Sequence, residues 1–338
     1  MPRLSEFMKK FVYLAAIHQM DAACLHILSG RVDEMGDLSM ELPLQGVYCA
    51  AATPLTANGD ADIPKLAEHC QRLLADGCDG VAVLGTTGEA NSFARDERMA
   101  ILDGLLAAGI APETVLPGTG AASLRDAQAL TRHATEAGVR GVLVLPPFYY
   151  KPVSDEGLAA FYGSVIEGLK GRAVSMLLYH IPHISGVPIT HSLISLLRDR
   201  FPEVVVGLKD SSGDRDGLHA YIKGFEGFSV FAGADPLMRE ALSVGGAGCI
   251  TAASNLIAPE LRTIYDGPST AAADAAQERI IALRELSLSA PQIPAIRTMI
   301  AARTGDAAWV EPRPPLLALG AEDRDRVAKL YSALSADR

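Results

Sequence analysis

From Gly46 to about residue 265, the sequence repeats one pattern, in which a short apolar run precedes a longer segment of helical spacing. The short runs are rich in Val and Leu, which is typical of strands covered on both faces. The predicted strands are residues 47–52, 81–84, 114–116, 142–145, 174–179, 204–209, 228–232 and 249–251. The predicted helices are residues 63–75, 96–108, 124–137, 155–169, 191–200, 216–223, 236–244 and 259–265, followed by 271–288, 293–303 and 323–334.

Eight strand–helix units over about 220 residues predict an α/β protein, with the (β/α)8 architecture of a TIM barrel. A doubly wound open sheet is built from the same units and is the structural alternative. Such sheets commonly carry a G-x-G-x-x-G turn that binds a dinucleotide. Residues 118–123 are the nearest match, but they lack the third glycine. The pattern therefore favours the closed barrel.

The same pattern divides the chain into three regions. Residues 44–266 form the predicted catalytic barrel, and residues 267–338 form a predicted C-terminal helical extension, packed on the barrel or on a neighbouring subunit. No Gly/Ser-rich linker separates the extension, which argues against a second independent domain. Residues 1–43 are an N-terminal appendage, either a helix packed outside the barrel or a tail, and natural translation from Met35 or Met40 is an alternative.

The composition limits the classes of partner and location. A formal net charge of −10 argues against nucleic acid or an anionic membrane surface as a partner. No apolar run approaches the roughly 20 residues that span a bilayer. The 5 cysteines form no C-x-x-C pair, as is usual in the reducing cytoplasm, so a cytoplasmic location is predicted.

The sixth predicted strand ends in a lysine. Lys209 closes an apolar, β-branched run, and a period of two places it on the face of Gly207 and Val205. Desolvation disfavours the charged form of an amine, and the neutral amine is the nucleophile that a carbonyl substrate requires. Lys209 is therefore a candidate nucleophile. The alternative is a side chain that extends past the strand end to water.

Other polar residues also follow predicted strands at their carboxyl ends, where barrel enzymes hold their chemistry. Residues 85–89 read Gly-Thr-Thr-Gly-Glu, a loop whose amides and hydroxyls suit a carboxylate or phosphate, with an ordinary glycine-rich turn as the alternative. Tyr179 ends the fifth strand, one strand before Lys209. A phenol and an amine at neighbouring strand ends form a candidate proton-transfer pair.

Two further strand ends carry aromatic or acidic residues. Tyr149 and Tyr150 follow the fourth strand, and on an extended segment one would reach the cavity while the other packs; simple aromatic packing is the alternative. Asp235 follows the seventh strand. Because Pro236 suits the first position of a helix, we interpret Asp235 as the cap of the next helix.

A metal site has weak support. His180 and His183 are possible ligands, with Asp210 and Asp235 as co-ligands, but the two histidines flank a loop that contains Pro182 and do not share a helical face. The sequence contains no H-E-x-x-H motif and no G-x-S-x-G nucleophile elbow. We predict no metal.

Five motifs in combination resemble the dihydrodipicolinate synthase / N-acetylneuraminate lyase family of Schiff-base aldolases. The resemblance extends from about Gly46 to the Arg313-Pro314-Pro315 segment. The motifs are G-T-T-G-E at 85–89, P-F-Y-Y at 147–150, L-Y-x-I-P-x-x-S-G at 178–186, G-L-K-D at 207–210 and G-x-I-[ST] at 248–251.

The resemblance implies a role for each residue on the side of the site that would bind the 2-oxo acid. Lys209 would form an imine with the keto carbon of pyruvate or another 2-oxo acid. Thr86 and Thr87, in the loop that begins at Gly85, would hold the carboxylate of that acid. Tyr179 would be the general acid and base that moves protons at the imine and at the reacting bond.

The resemblance also implies an assembly and the absence of a cofactor. Tyr149 occupies the position of a tyrosine that synthases lend across a subunit interface to the neighbour's proton relay. Ile250 matches a position whose backbone carbonyl faces the site. Members of the family are usually homotetramers, as dimers of dimers, and they need no cofactor besides the covalent imine.

Three positions differ from the well-known branches of the family. Synthases carry an arginine for the carboxylate of the aldehyde where this chain has Ile184, and an alkyl side chain cannot replace a guanidinium. Sialic acid lyases carry an acid where this chain has Pro236, and His180 stands where both branches often have asparagine. The pyruvate half of the site matches the family, and the second-substrate half does not.

The sequence thus predicts a class I aldolase or lyase that acts on a 2-oxo acid together with an aldehyde or sugar-acid partner. One alternative is a genuine 4-hydroxy-tetrahydrodipicolinate synthase, which joins pyruvate to aspartate semialdehyde and holds its carboxylate with another cation. Another is a deoxy-oxo sugar acid dehydratase or aldolase that uses the same imine. The remaining alternatives are a 2-oxo acid sensor without turnover and a metal-dependent aldolase.

Overall fold

The structure, a computed structural model, describes residues 44–336, and the predicted appendage 1–43 lies outside the described residues. Seven strands form one sheet in which every paired neighbour is parallel. The strands are β1 (Gly46–Ala50), β2 (Gly80–Ala82), β3 (Gly141–Val144), β4 (Ser175–His180), β5 (Val205–Asp210), β6 (Ser229–Ala232) and β7 (Gly248–Thr251).

The sheet closes into a barrel through residues 115–118. The strand order β2-β1-β7-β6-β5-β4-β3 leaves β2 and β3 at the two edges. Between these edges, the N–H of Leu116 donates to the carbonyl of Val81 at 2.9 Å, and the N–H of Leu143 donates to the carbonyl of Pro117 at 2.9 Å. Proline has no N–H to donate, so the third predicted strand is a bridging segment and not a full strand. The (β/α)8 barrel is confirmed.

Helices follow the strands as predicted, and one additional short helix, α5, follows β4. Within the described residues, no helix is long and apolar enough to cross a membrane. The helices of the barrel are α1 (Ile63–Ala75), α2 (Arg95–Ala107), α3 (Leu124–Glu136), α4 (Asp155–Glu167), α5 (Pro182–Ser185), α6 (His191–Arg200), α7 (Arg215–Gly224), α8 (Met238–Ser243) and α9 (Ser254–Asp266). The C-terminal helices are α10 (Ala271–Leu288), α11 (Gln292–Thr304) and α12 (Ala321–Ala336).

Side-chain caps define where several of these helices begin. An oxygen of each capping side chain accepts a hydrogen bond from a backbone N–H of the first turn, which satisfies one of the donors that a helix start leaves free. The caps are Asp62 for α1, Ser123 for α3, Ser154 for α4, Thr190 for α6 and Thr270 for α10.

The hydrophobic core has two layers, as expected for a barrel. A larger cluster lies between the strands and the helices and includes Val47, Met176 and Leu208. A smaller cluster fills the barrel interior and includes Leu177 and Phe231. Alternate residues of each strand contribute to the two layers because successive side chains point to opposite faces.

One strand departs from that alternation. The register between β4 and β5 shifts after the pair of Met176 and Val205, so that Leu177 pairs with Gly207. Val205 packs in the outer cluster, whereas Val206 contacts the interior cluster. The prediction that Val205 shares a face with Lys209 is therefore wrong, because a bulge adds one residue to the strand.

The C-terminal helices continue the core of the barrel. Helix α10 packs against α9, and α11 packs against both α9 and α12. Ile280 of α10 and Ile296, Met299 and Ile300 of α11 are buried within the outer cluster. The predicted helical extension is thus present and lies on the barrel of its own chain.

Candidate active site

Lys209 and Tyr179 face each other at the carboxyl ends of adjacent strands. They are register partners in β5 and β4, and Phe231 of β6 is the partner on the other side of Lys209. Gly207 lies two residues before Lys209, and a side chain there would overlap the carbonyl of Ser229. Glycine thus allows β5 and β6 to approach closely beneath the lysine.

A chain of polar contacts joins three of the predicted site residues. The Nζ atom of Lys209 donates to the phenol oxygen of Tyr179 at 3.3 Å, and the Oγ1 atom of Thr86 lies 3.2 Å from the same oxygen. Lys209 is only 4% exposed and is the only buried lysine among residues 44–336. The tertiary structure brings Lys209, Tyr179 and Thr86 together, although they lie on three different strand ends.

The Gly-Thr-Thr-Gly-Glu loop is a tight turn. The N–H of Glu89 donates to the carbonyl of Thr86 at 3.1 Å, and Glu89 has a left-handed backbone with φ of 55°. Thr87 is buried in this turn. Gly88 is required there, since a Cβ would lie 2.9 Å from the carbonyl oxygen of Ala51. The loop presents Thr86 to the barrel and turns Glu89 away from it.

A buried arginine holds the far end of this loop. The Nε atom of Arg297 donates to Oε1 of Glu89 at 2.7 Å, and both side chains are buried. The second carboxylate oxygen of Glu89 accepts from the N–H of Arg313 at 2.7 Å. Burial lowers the pKa of Arg297, and the neighbouring Glu89 carboxylate opposes that effect. The C-terminal extension is therefore in direct contact with the candidate active site.

A small cavity of about 20 Å³ adjoins the contact between Thr86 and Tyr179. Thr86 and Tyr179 form part of its wall, together with the buried Arg98, whose guanidinium donates to the carbonyls of Gly118 and Gly120. Burial lowers the pKa of Arg98 to about 10. The remaining lining residues are Leu84, Gly85, Ala90, Asn91, Gly118, Gly120, Leu143 and Leu145.

The described chain matches a known family along almost its whole length. The sequence model of the dihydrodipicolinate synthetase family matches residues 43–334. The chain belongs to this family. An uncharacterised DapA-like lyase from Chloroflexus aurantiacus is 35% identical over 297 residues, which covers 86% of this chain and 97% of that protein. A 4-hydroxy-tetrahydrodipicolinate synthase from Halalkalibacterium halodurans is 28% identical over 85% of this chain and 97% of its own length.

Solved structures of the family have the same fold. The dihydrodipicolinate synthase of Agrobacterium tumefaciens superposes with a TM-score of 0.80 at 34% identity, covering 86% of this chain and 99% of that one. YagE of E. coli K12, a family protein solved in complex with pyruvate, gives 0.79 at 25% identity, over 86% and 98% of the two chains. Family membership places this chain among the aldolases and lyases.

The predicted site residues Tyr149 and Ile250 lie outside the set of polar contacts that joins Lys209, Tyr179 and Thr86. Tyr149 and Tyr150 are 76% and 79% exposed, with their ring centroids 5.3 Å apart, so neither reaches the cavity of its own chain. The prediction that one of them enters the cavity while the other packs is therefore wrong for the single chain. Ile250 is buried in β7 beside Tyr48, and the role of its carbonyl stays a prediction.

Asp235 does not cap the helix that follows it. The N-cap of the short turn Asp235–Leu237 is Ala234, which provides no side-chain cap. Asp235 instead accepts from the N–H of Ala253, at the start of α9, at 3.1 Å, and lies 3.6 Å from Nη1 of Arg284. The predicted cap is wrong, because the buried carboxylate accepts its hydrogen bond from another segment of the chain.

The two histidines of the proposed metal set are not brought together around a common centre. Nδ1 of His180 accepts from the N–H of Ile189 at 2.9 Å, and Asp210 is the register partner of His180. Burial lowers the pKa of His180 and raises that of Asp210. Among residues 44–336, no group of three or more His, Cys, Asp or Glu side chains is arranged to hold a metal ion.

Near Ile184, where the resemblance implies the second substrate, lies a cation that the sequence reasoning missed. Ile184 is 59% exposed on α5. Lys151, which follows the two tyrosines, extends over Gly186, and a Cβ built on Gly186 would lie 3.1 Å from its Nζ atom. A lysine directly after a tyrosine pair carries no recognisable sequence signal, because the segment that it contacts lies 35 residues further along the chain.

Arg297 was also missed, although the sequence contained a signal for it. Helix α11 is buried on nearly all sides from Pro294 to Ile300, and Arg297 is the one charged residue within that stretch. An arginine is rarely buried without a partner. A largely apolar segment with one central arginine therefore indicates a buried carboxylate, which here is Glu89.

Proposed function

We propose that the chain is a class I aldolase or lyase that forms a Schiff base between Lys209 and pyruvate or another 2-oxo acid. One observation carries this proposal: the buried Lys209 amine donates to the Tyr179 phenol, which also contacts Thr86. A nucleophile, a proton carrier and a hydroxyl at the carboxylate-binding loop are the groups that imine chemistry requires. The presence of pyruvate in the YagE structure supports the choice of 2-oxo acid.

The first stage is imine formation. The neutral amine of Lys209 attacks the keto carbon, a C–N bond forms, and the electron pair of the C=O bond moves to oxygen. Tyr179 lies 3.3 Å from the amine and can deliver the proton with which that oxygen leaves as water. Thr86 and Thr87, with the amides of the loop from Gly85, hold the carboxylate of the substrate.

The second stage breaks or makes a C–C bond. In the cleavage direction, the Tyr179 phenolate takes the proton of the hydroxyl on C4, and the electrons of the C3–C4 bond move to the iminium nitrogen. An aldehyde leaves, and the resulting enamine is protonated on C3 before water releases pyruvate and the free amine. Condensation is the same sequence in reverse. The iminium is the electron sink, so no step requires a metal or organic cofactor.

Borohydride trapping tests the proposal. The protein is incubated with pyruvate and borohydride, and its intact mass is measured; we expect a mass increase of one reduced pyruvyl group. The same protein is then offered a panel of 2-oxo sugar acids and aldehydes, scored for pyruvate release or consumption. An adduct without turnover across the panel would favour a 2-oxo acid sensor, and the absence of any adduct would reject the imine.

The exposed Tyr149 leads to a prediction about assembly. We propose that Tyr149 of one subunit completes the proton relay of a neighbour in a homotetramer, since its phenol is free of its own cavity. Tyr149→Phe is then expected to lower kcat about 10²-fold, as for the loss of one proton-transfer group. Tyr150→Phe is the matched control and should retain full kcat. A monomeric wild type in light scattering, or equal rates for both variants, would contradict this role.

A second candidate function is favoured by the position of Lys151. Its ammonium lies over Gly186, two residues from the isoleucine that replaces the synthase arginine, and can pair with the carboxylate of an aldehyde such as aspartate semialdehyde. Lys151→Ala is then expected to raise KM for a carboxylate-bearing aldehyde about tenfold, the value of one hydrogen bond to a charged group. KM for an uncharged aldehyde is the control and should not change. Equal KM values in Lys151→Ala and wild type for every aldehyde would exclude Lys151 from substrate binding.

A further inference from the structure

We propose that the ion pair between Glu89 and Arg297 is a positioning device for the 2-oxo acid, through which the C-terminal extension takes part in substrate binding. The inference rests on the proposed function, because the loop that the pair holds is the one proposed to bind the carboxylate. Neither residue touches the substrate in this proposal. They act through the position of Thr86 and Thr87.

The pair joins three segments that are distant in the sequence. Nε of Arg297 donates to Glu89 at 2.7 Å, Nη2 donates to the carbonyl of Thr53 at 2.8 Å, and Nη1 donates to the carbonyl of Trp309 at 3.3 Å. The hydroxyl of Thr53 in turn donates to the carbonyl of Gly88 at 2.9 Å. Glu89 is thus bound directly to the guanidinium, and Gly88 is bound to Thr53, whose carbonyl accepts from the same guanidinium.

Stability alone does not account for such a pair. Removing two charges from water offsets most of the attraction between them, so a buried ion pair adds little to stability relative to apolar residues of the same volume. A fully buried arginine with all three nitrogens directed to separate segments does restrict where those segments lie. We therefore interpret the pair as a constraint on geometry.

The constrained group is the Thr86 hydroxyl. It lies 3.2 Å from the Tyr179 phenol, and the turn that contains it closes through the hydrogen bond from the N–H of Glu89 to the Thr86 carbonyl. A shift of Glu89 would therefore be passed directly to Thr86. Displacements of about 1 Å at a substrate-positioning group can cost on the order of 10²-fold in rate.

The same helix provides a matched control at its other end. Arg303 of α11 donates to Asp76 at 2.6 Å and to the carbonyls of Asn255 and Leu256, so it also joins a carboxylate to backbone oxygens. Asp76 follows α1 and precedes β2, which places it at the amino ends of the strands, opposite the site. The two pairs share the same groups, although the control pair is less buried, with side-chain exposures of 18% and 24% against 0% and 1%.

The experiment compares four variants: Glu89→Gln and Arg297→Lys at the site loop, with Asp76→Asn and Arg303→Lys as controls. Melting temperatures are measured first, and all trapping is performed well below the lowest of them. The readout is the pyruvate concentration that gives half-maximal borohydride adduct. We expect this concentration to rise about tenfold or more in Glu89→Gln and Arg297→Lys and to remain at the wild-type value in both controls.

Comparing the change in KM with the change in kcat distinguishes a loss of substrate positioning from a general disruption of the fold. We expect KM for pyruvate to rise more than kcat falls in the two site-loop variants. Unchanged half-saturation in folded Glu89→Gln and Arg297→Lys, or an equal rise in all four variants, would overturn the positioning role while leaving the imine intact. If the wild type forms no adduct, the proposed function fails, and the role assigned to the pair fails with it.

Discussion

Replacing Lys209 by alanine is expected to abolish the borohydride-trapped pyruvate adduct and to lower turnover on the order of 10⁶-fold, the low end of enzymatic rate enhancements. The physical reason is that the amine of Lys209 forms the bond that creates the electron sink, and among residues 44–336 no other lysine is buried. Intact-mass measurement after reduction, together with pyruvate release in the aldehyde panel, gives both quantities.

A lysine at the protein surface provides the control for this experiment. Lys65 forms an ion pair with Asp306 at 2.6 Å on the outside of the barrel, and Lys65→Ala should retain the adduct and wild-type turnover. An adduct of undiminished yield in Lys209→Ala would place the imine on another residue. Circular dichroism of Lys209→Ala establishes that the loss is not a loss of folding.

Removing the hydroxyl of Tyr179 is expected to have the second-largest effect. Tyr179→Phe keeps the ring that lies 4.4 Å from Nζ of Lys209, but it removes the oxygen that contacts both the amine and Thr86. Loss of a positioned general acid and base lowers kcat by about 10²- to 10⁴-fold. Steady-state kinetics measures this loss, and the rate of adduct formation with pyruvate should fall in parallel.

Tyr162 is the matched control for that change. It is a fully buried tyrosine of α4 whose hydroxyl donates to the carbonyl of Val144 at 3.3 Å, outside the polar chain of the site. Tyr162→Phe is expected to cost about 1 kcal/mol of unfolding free energy and to leave kcat unchanged. A Tyr179→Phe enzyme as active as Tyr162→Phe would remove Tyr179 from the mechanism.

The barrel was predictable because its signals are local. Each strand is a short apolar run and each helix a longer segment of helical period, so eight repeats indicate one architecture without knowledge of any distant contact. Among the eight predicted strands, only the third is not a regular strand in the structure, because Pro117 has no N–H with which to complete the pairing. The bulge that moves Val205 to the outer layer was not predictable, because it depends on the register with β4.

The site residues, too, were predictable where the signal is local and not predictable where it depends on distant contacts. Lys209, Tyr179 and Thr86 were predicted as site residues because each lies at or just past the carboxyl end of a strand, and parallel strands of a barrel end at one rim. Asp235 was misassigned because its hydrogen-bond donor, the N–H of Ala253, and its ion-pair partner, the guanidinium of Arg284, belong to other segments. Local rules for caps consider only the next few residues.

The sequence alone predicts the architecture and a candidate nucleophile, since both depend on residue types at fixed positions along strands. Its resemblance to a known family implies the class of chemistry. Tertiary structure decided which groups surround that chemistry. Glu89 and Arg297 are separated by 208 residues, and their contact exists only after the extension packs on the barrel. A single sequence does not show which two distant charged residues will pair. The cost of burying each charge, and hence its need for a partner, arises only when the chain is folded.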